Sequence, residues 1–255
     1  MQEVAMHNGA QEVIDMNRVI DRLDVLGIWI ILIISILVGC ETRQSHSESK
    51  IEDKSKSIVL LDIDLSSRQE LAIVITKLAK CEVLAIGIYA LFEDVREGDS
   101  DLIESFIESG KVVLTTTVNP NGEIDRSYTQ IEEVAMSTGL VNFAIDDNYN
   151  VAGYYPLYED SKGQELALPI VLAEQVDMEA AAEEFMKSNV GKAKEINRIR
   201  KDEFFPLINP EELSCEKVKG KIVIIGSNNQ DKFQTSYGRK SGILLIANIV
   251  EDILN

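Results

Sequence analysis

The chain has 255 residues and a formal net charge of −18, from 43 acidic against 25 basic side chains. That balance argues against nucleic acid as a partner, because neutralising phosphates needs a basic face, while the length suits one domain of about 200 residues behind a leader. The only histidines are His7 and His46, and Cys40, Cys81 and Cys215 form no C-x-x-C pair, so the sequence beyond residue 56 offers no Ser-His-Asp or Cys-His nucleophile, no histidine metal site and no structural zinc.

Residues 25–40 are a run of 16 uncharged positions between Asp24 and Glu41. A membrane-spanning helix needs about 20, so the run is short for an anchor and within range of a signal-peptide core. It ends in Leu37-Val38-Gly39-Cys40, which resembles a bacterial lipobox, and the resemblance implies cleavage before a lipidated Cys40. Residues 1–15 carry Glu3, Glu12 and Asp15 and no base, whereas a start at Met16 places Arg18 and Arg22 ahead of the core. Met16 is therefore the expected start. The other reading is an uncleaved N-terminal anchor helix with an incidental cysteine. Both put the chain from residue 41 outside the cytoplasmic membrane, with residues 41–56 as a polar tether.

A globular domain is expected over 57–255. The apolar run "SIVLLDID" (57–64) reads as a buried parallel strand. Ser67 and Glu70 make a capping box for a helix whose Leu71, Val74, Ile75 and Leu78 share one face. The strand "EVLAIGIY" (82–89), a helix "DSDLIESFIES" closed by Gly110 and the strand "KVVLTTTV" (111–118) repeat the unit. Such alternation with short links means right-handed crossovers. "GLVNFAI" (139–145) and "NVAGYYPLY" (150–158) then read as a hairpin, and 166–189 as a helical stretch. Pro210 suits a first helical turn, "KIVIIG" (221–226) is the last strand, and "GILLIANIVEDILN" the closing helix. The fold class is α/β: a mostly parallel central sheet with helices on both faces and an inserted β-hairpin. Cys81 and Cys215 each precede a strand, so they either form a disulfide at that rim or stay as two separate buried thiols, the reading the sequence favours.

Several positions carry candidate chemistry. Asp62 and Asp64 lie two apart at the C-terminal end of the first strand, hence on one face, and open α/β sheets bind ligands there. Asp231 and Lys232, after the last strand, join them if the two strands are neighbours. The four read as a small-molecule or cation site, against the blander reading that they cap helix N-termini and tie down loops. "IIGSNNQDK" starts like a phosphate loop but lacks the further glycines and the Gly-Lys-Ser/Thr ending. Tyr149, Tyr154 and Tyr155 mark either an interaction surface or packing across a sheet edge. The basic run 192–201 reads as a solvated face.

The order of these motifs resembles the type-2 CHASE domain, a family of extracytoplasmic sensory modules of bacterial histidine kinases and nucleotide cyclases. "IVLLDID", "AIGIYALF", "KVVL", "GLVNFAIDDNYNVAGYYPL", "LALPIVLA" and "GKIVIIGSNNQDKFQTSYG" carry it. The resemblance implies a membrane-tethered ligand-binding sensor without catalysis or cofactor, reporting to a separate signalling membrane protein. Where the family often has an aspartate after the second strand this chain has Tyr89, and where it often has an arginine in the second hairpin strand it has Gly153. The chain also stops at Asn255 with no output domain. A structural or protein-interaction lipoprotein that has lost ligand sensing is the alternative, and a carboxylate-dependent enzyme working through Asp62 and Asp64 is a third.

Overall fold

The domain is laid down as parallel strands with returning helices, as the alternating pattern requires. A computed structural model describes residues 55–196 and 198–255; the leader, both candidate starts, Cys40 and most of the tether lie outside them. The first half runs β1 (Ile58–Asp62), α1 (Arg68–Ala79), β2 (Ala85–Ile88), α2 (Asp99–Ser109), β3 (Val112–Val118), β4 (Ile124–Asp125), the short α3 (Thr129–Glu132) and β5 (Ser137–Leu140). The middle holds β6 (Phe143–Ile145), β7 (Val151–Tyr154), β8 (Leu157–Asp160), β9 (Gly163–Leu166), α4 (Leu168–Glu174), α5 (Met178–Met186) and β10 (Lys194–Glu195). The last part is β11 (Leu207–Ile208), α6 (Cys215–Val218), β12 (Ile222–Gly226), β13 (Lys232–Thr235), β14 (Gly238–Ser241) and α7 (Gly242–Ile253).

The main sheet has the order β11-β1-β12-β2-β3, with β5 parallel and β4 antiparallel beyond β3. Strand residues alternate between two cores, as a period of two dictates. Ile58, Leu60, Ile222 and Ile224 meet α4 and α7, while Val59, Leu61, Val223 and Ile225 meet α1 and α2. Each fully buried aliphatic side chain contributes about 1.5–3 kcal/mol, so both faces are needed. Among the described residues, the compact unit Asp53–Asn255 has a hydrophobic core of its own on each face of the sheet, as an independently folding domain does.

Local signals explain the helix ends. Ser67 Oγ accepts from the Glu70 amide at 3.3 Å, and Gly110 closes α2 at φ 59°, the left-handed cap that glycine permits. The expected single helical stretch over 166–189 is two helices instead. Asp177 stops the first and caps the second, accepting from the Ala180 amide at 2.9 Å. Pro210 opens a 3₁₀ turn, Pro210–Glu212, held by an Asn209–Glu212 capping box.

The expected hairpin is also redistributed. Residues 137–140 join the main sheet as β5, and β6 pairs with β7 in a small antiparallel sheet completed by β10. Two further hairpins occur: β8–β9, whose first strand takes the end of the expected strand 150–158, and β13–β14, which falls where a loop was expected. The cysteines correct the favoured reading: Cys81 and Cys215 form a disulfide across a Cα separation of 4.7 Å. It ties the approach to β2 to that of β12, because those strands are neighbours in the sheet.

Candidate functional site

The chain leaves β1 for α1 on one face and β12 for α7 on the other, so the adjacent ends of β1 and β12 form a topological switch point at the C-terminal edge of the sheet, the mouth at which open α/β sheets bind ligands. Asp62 stands at this point, level with Gly226. Its Oδ1 accepts from the Asn228 amide at 2.8 Å, and Ser241 Oγ donates to Asn228 Oδ1 at 2.8 Å. Asp62, Asn228 and Ser241 thus connect β1, the loop after β12 and the residue preceding α7.

Tyr89 fills the other side of this mouth. Its amide donates to Ile225 O at 2.9 Å, and its ring lies over two glycines. A Cβ on Gly242 would come within 2.4 Å of Tyr89 Cε1, and one on Gly226 within 2.5 Å of Ile243 Cγ2 and 3.3 Å of Tyr89 Cβ. Glycine at 242 is what lets the aromatic ring seat itself, and glycine at 226 makes room for Ile243. Burial, with the nearby charge of Asp231, pushes the Tyr89 hydroxyl above its ordinary range.

The four acids and bases named from the sequence stand at three points: Asp62 at the end of β1, Asp64 in the turn beyond it, and Asp231 and Lys232 where the β13–β14 hairpin begins. Asp64 lies beyond the end of β1, exposed, and its Oδ1 accepts from the Ser66 amide at 2.9 Å, which lowers its pKa. It holds its own turn, two residues past the last residue of the strand. Asp231 takes a left-handed backbone, φ 46°, at the tip leading into β13, and its charge reaches Tyr89. Lys232 begins β13 opposite Ser241, with an exposed side chain. The mouth therefore gathers Asp62 and Asp231 with Tyr89, Asn228 and Ser241. Pattern reading missed the last two, although a Ser-Gly pair entering an apolar helix is a start signal. Among the described residues, no group of three or more His, Cys, Asp or Glu side chains is placed to hold a metal ion.

The β13–β14 hairpin roofs this edge and is fixed to the small sheet by Phe233 against Phe143, ring centroids 5.0 Å apart. In that sheet, Gly153 is demanded by the close approach of β10, since a Cβ there would lie 2.3 Å from Lys194 O. The three tyrosines do not form one surface. Tyr149 is 84% exposed at a turn, whereas Tyr154 is buried and its hydroxyl donates to Glu184 Oε1 at 2.7 Å. Lys194 Nζ pairs with the other Glu184 oxygen. Arg200 is buried, pairing with Asp252 at 2.6 Å. The basic run is thus in part internal wiring, not a wholly solvated face.

At the opposite pole, Ser55 Oγ donates to Glu251 Oε2 at 2.7 Å and the Ser55 amide to Phe204 O at 2.9 Å. α7 therefore runs from the mouth to the place where the chain enters the domain. Among the described residues no helix is long and apolar enough to cross a membrane. The sequence pattern of the CHASE2 domain matches residues 43–255. No curated protein and no solved structure matches the chain.

Proposed function

The chain belongs to the CHASE2 domain family, a family of extracellular sensory domains, and we propose that it is a membrane-tethered sensor of small polar ligands whose signal is handed to a partner signalling protein. One observation carries the reading: α7 touches the mouth at Gly242 and the entry pole at Glu251. Twelve helical residues span about 18 Å, and a packed helix moves as a unit, so a change at the mouth shifts the pole.

In this reading a ligand enters between Asp62, Asn228 and the start of α7, displacing the Tyr89 ring. The free α7 amides and the loop dipoles favour an anionic or hydrogen-bond-accepting group, with Asp62 selecting a donor on the same molecule. A lipidated Cys40, or an uncleaved apolar leader, supplies the tether. The disulfide supports an oxidising, extracytoplasmic setting. The seated Tyr89 ring favours a second reading, an interaction module whose ligand site is closed by its own side chain.

A thermal-shift screen of small polar metabolites separates the two. The sensor reading expects a compound that raises the melting temperature of the wild-type protein and loses its effect in Asp62→Ala. Stabilisation by a protein partner alone would leave the second reading standing. Turnover of any substrate that vanishes in Asp62→Asn would overturn both.

A further inference from the structure

The outer surface of the domain carries a groove of about 630 Å³ between α1 and α2, lined by none of the residues of the mouth. One wall is basic, with Lys77 and Lys80 on α1; the other is acidic, with Asp101, Glu104 and Glu108 on α2. Among the described residues none of these five makes an ion pair, although they face one another across the groove. Ile73, 63% exposed, stands in the same groove, and Ile107, 64% exposed, lies on α2 beside it. An exposed isoleucine between unpaired charge walls, with a second beside it, is an unsatisfied surface.

We propose that this groove is the contact face of a parallel homodimer. A second copy is the occupant that the charge layout fits. Both helices return from parallel strands, so they run side by side in one direction. A two-fold axis along the groove sets the basic wall of each copy against the acidic wall of the other, and each contact occurs twice. A two-fold axis across the helices would instead oppose like walls. The complementary axis also leaves both copies of Ser55 and of the α7 C-terminus at the same pole. Two chains tethered to one membrane can meet in this way without inverting either. The dimer does not depend on the sensor reading, since it requires no ligand.

Sedimentation equilibrium on the compact unit Asp53–Asn255 tests it. The wild type is expected to show a reversible monomer–dimer equilibrium that weakens with salt. Lys77→Glu with Lys80→Glu should weaken the dimer roughly tenfold or more, and Glu104→Lys with Glu108→Lys equally. Mixing the two variants restores association, because every wall then meets its opposite, and the fourfold reversal restores the homodimer. Circular dichroism confirms that each variant is folded. A wild type that stays monomeric at high concentration overturns the proposal. So does a dimer indifferent to both reversals, or one whose reversals are not rescued by mixing.

Discussion

Removing the Cys81–Cys215 bridge should lower the stability of the domain by an amount set largely by the unfolded chain. The bond closes a loop with a sequence separation of 134. In the chain-entropy model such a loop costs the unfolded state about 17 cal/mol/K, or about 5 kcal/mol at 25 °C. A domain of about 200 residues has an unfolding entropy near 0.42 kcal/mol/K at its midpoint, so the melting temperature should fall by about 12 °C. The assay is thermal unfolding by circular dichroism of the unit Asp53–Asn255, which excludes Cys40. Oxidised wild type is compared with its reduced form and with Cys81→Ala/Cys215→Ala. The reduced protein and the double variant should agree with each other and melt well below the oxidised protein. Two reactive thiols in the denatured, unreduced protein would refute the pairing itself. A fall of under about 3 °C would refute the loop-entropy account, showing that the neighbouring strands hold the cysteines together without the bond.

The remaining expectations concern packing and titration. Asp99→Ala leaves the buried Arg68 guanidinium, 3.1 Å from the lost carboxylate, without its ion partner, and should cost about 3–5 kcal/mol by urea denaturation; a loss below about 1 kcal/mol would show that water replaces the carboxylate. Gly153→Ala puts a methyl into the Lys194 carbonyl, should displace β10 from β7, and should cost about 1–3 kcal/mol in the same assay. Alkaline titration followed at 295 nm should be staged. Burial raises Tyr89, Tyr128 (to about 12) and Tyr154 above the ordinary value of about 10, with Asp231, Asp99 and Glu184 adding to the three in turn. Raised folded-state values mean that the neutral hydroxyls stabilise the fold fully below about pH 10, and this support is lost as pH climbs through those values. A single transition near pH 10 in the folded protein would contradict these burials.

The sequence made the framework legible because hydrophobic period and short links act locally. β1, α1, β2, α2, β3, β12 and α7 all fall where apolar runs and caps place them. What pattern could not reveal was sideways neighbourhood. β5 joins β3 although Gly139 and Leu140 read as the start of a hairpin arm, because Ser137–Leu140 pair along the edge of β3. β10 and β11 are too short to show a period, and only the edges of β7 and β1 define them. The same limit governs the candidate site. Asp62 lies at a strand end that pattern reading finds, but its partners Asn228 and Ser241 are 166 and more residues away along the chain. Asp64, two positions on, was grouped with Asp62 by strand periodicity, yet the strand ends at Asp62. The basic run concealed Arg200 because a buried guanidinium and a solvated one are the same letter until Asp252 on α7 is brought beside it.

The place of β12 in the sheet has a consequence for how the protein is made. It sits between β1 and β2, pairing with both, though it is the last strand of the main sheet to be synthesised. Until residue 226 is available, β1 and β2 have no neighbour between them and neither core can close. Pairings that span most of the chain are slow to form, because loop closure precedes any gain from contact. In a domain of an extracellular sensory family, that delay keeps both faces of the sheet open to solvent and to chaperones until the last strand of the main sheet has been made.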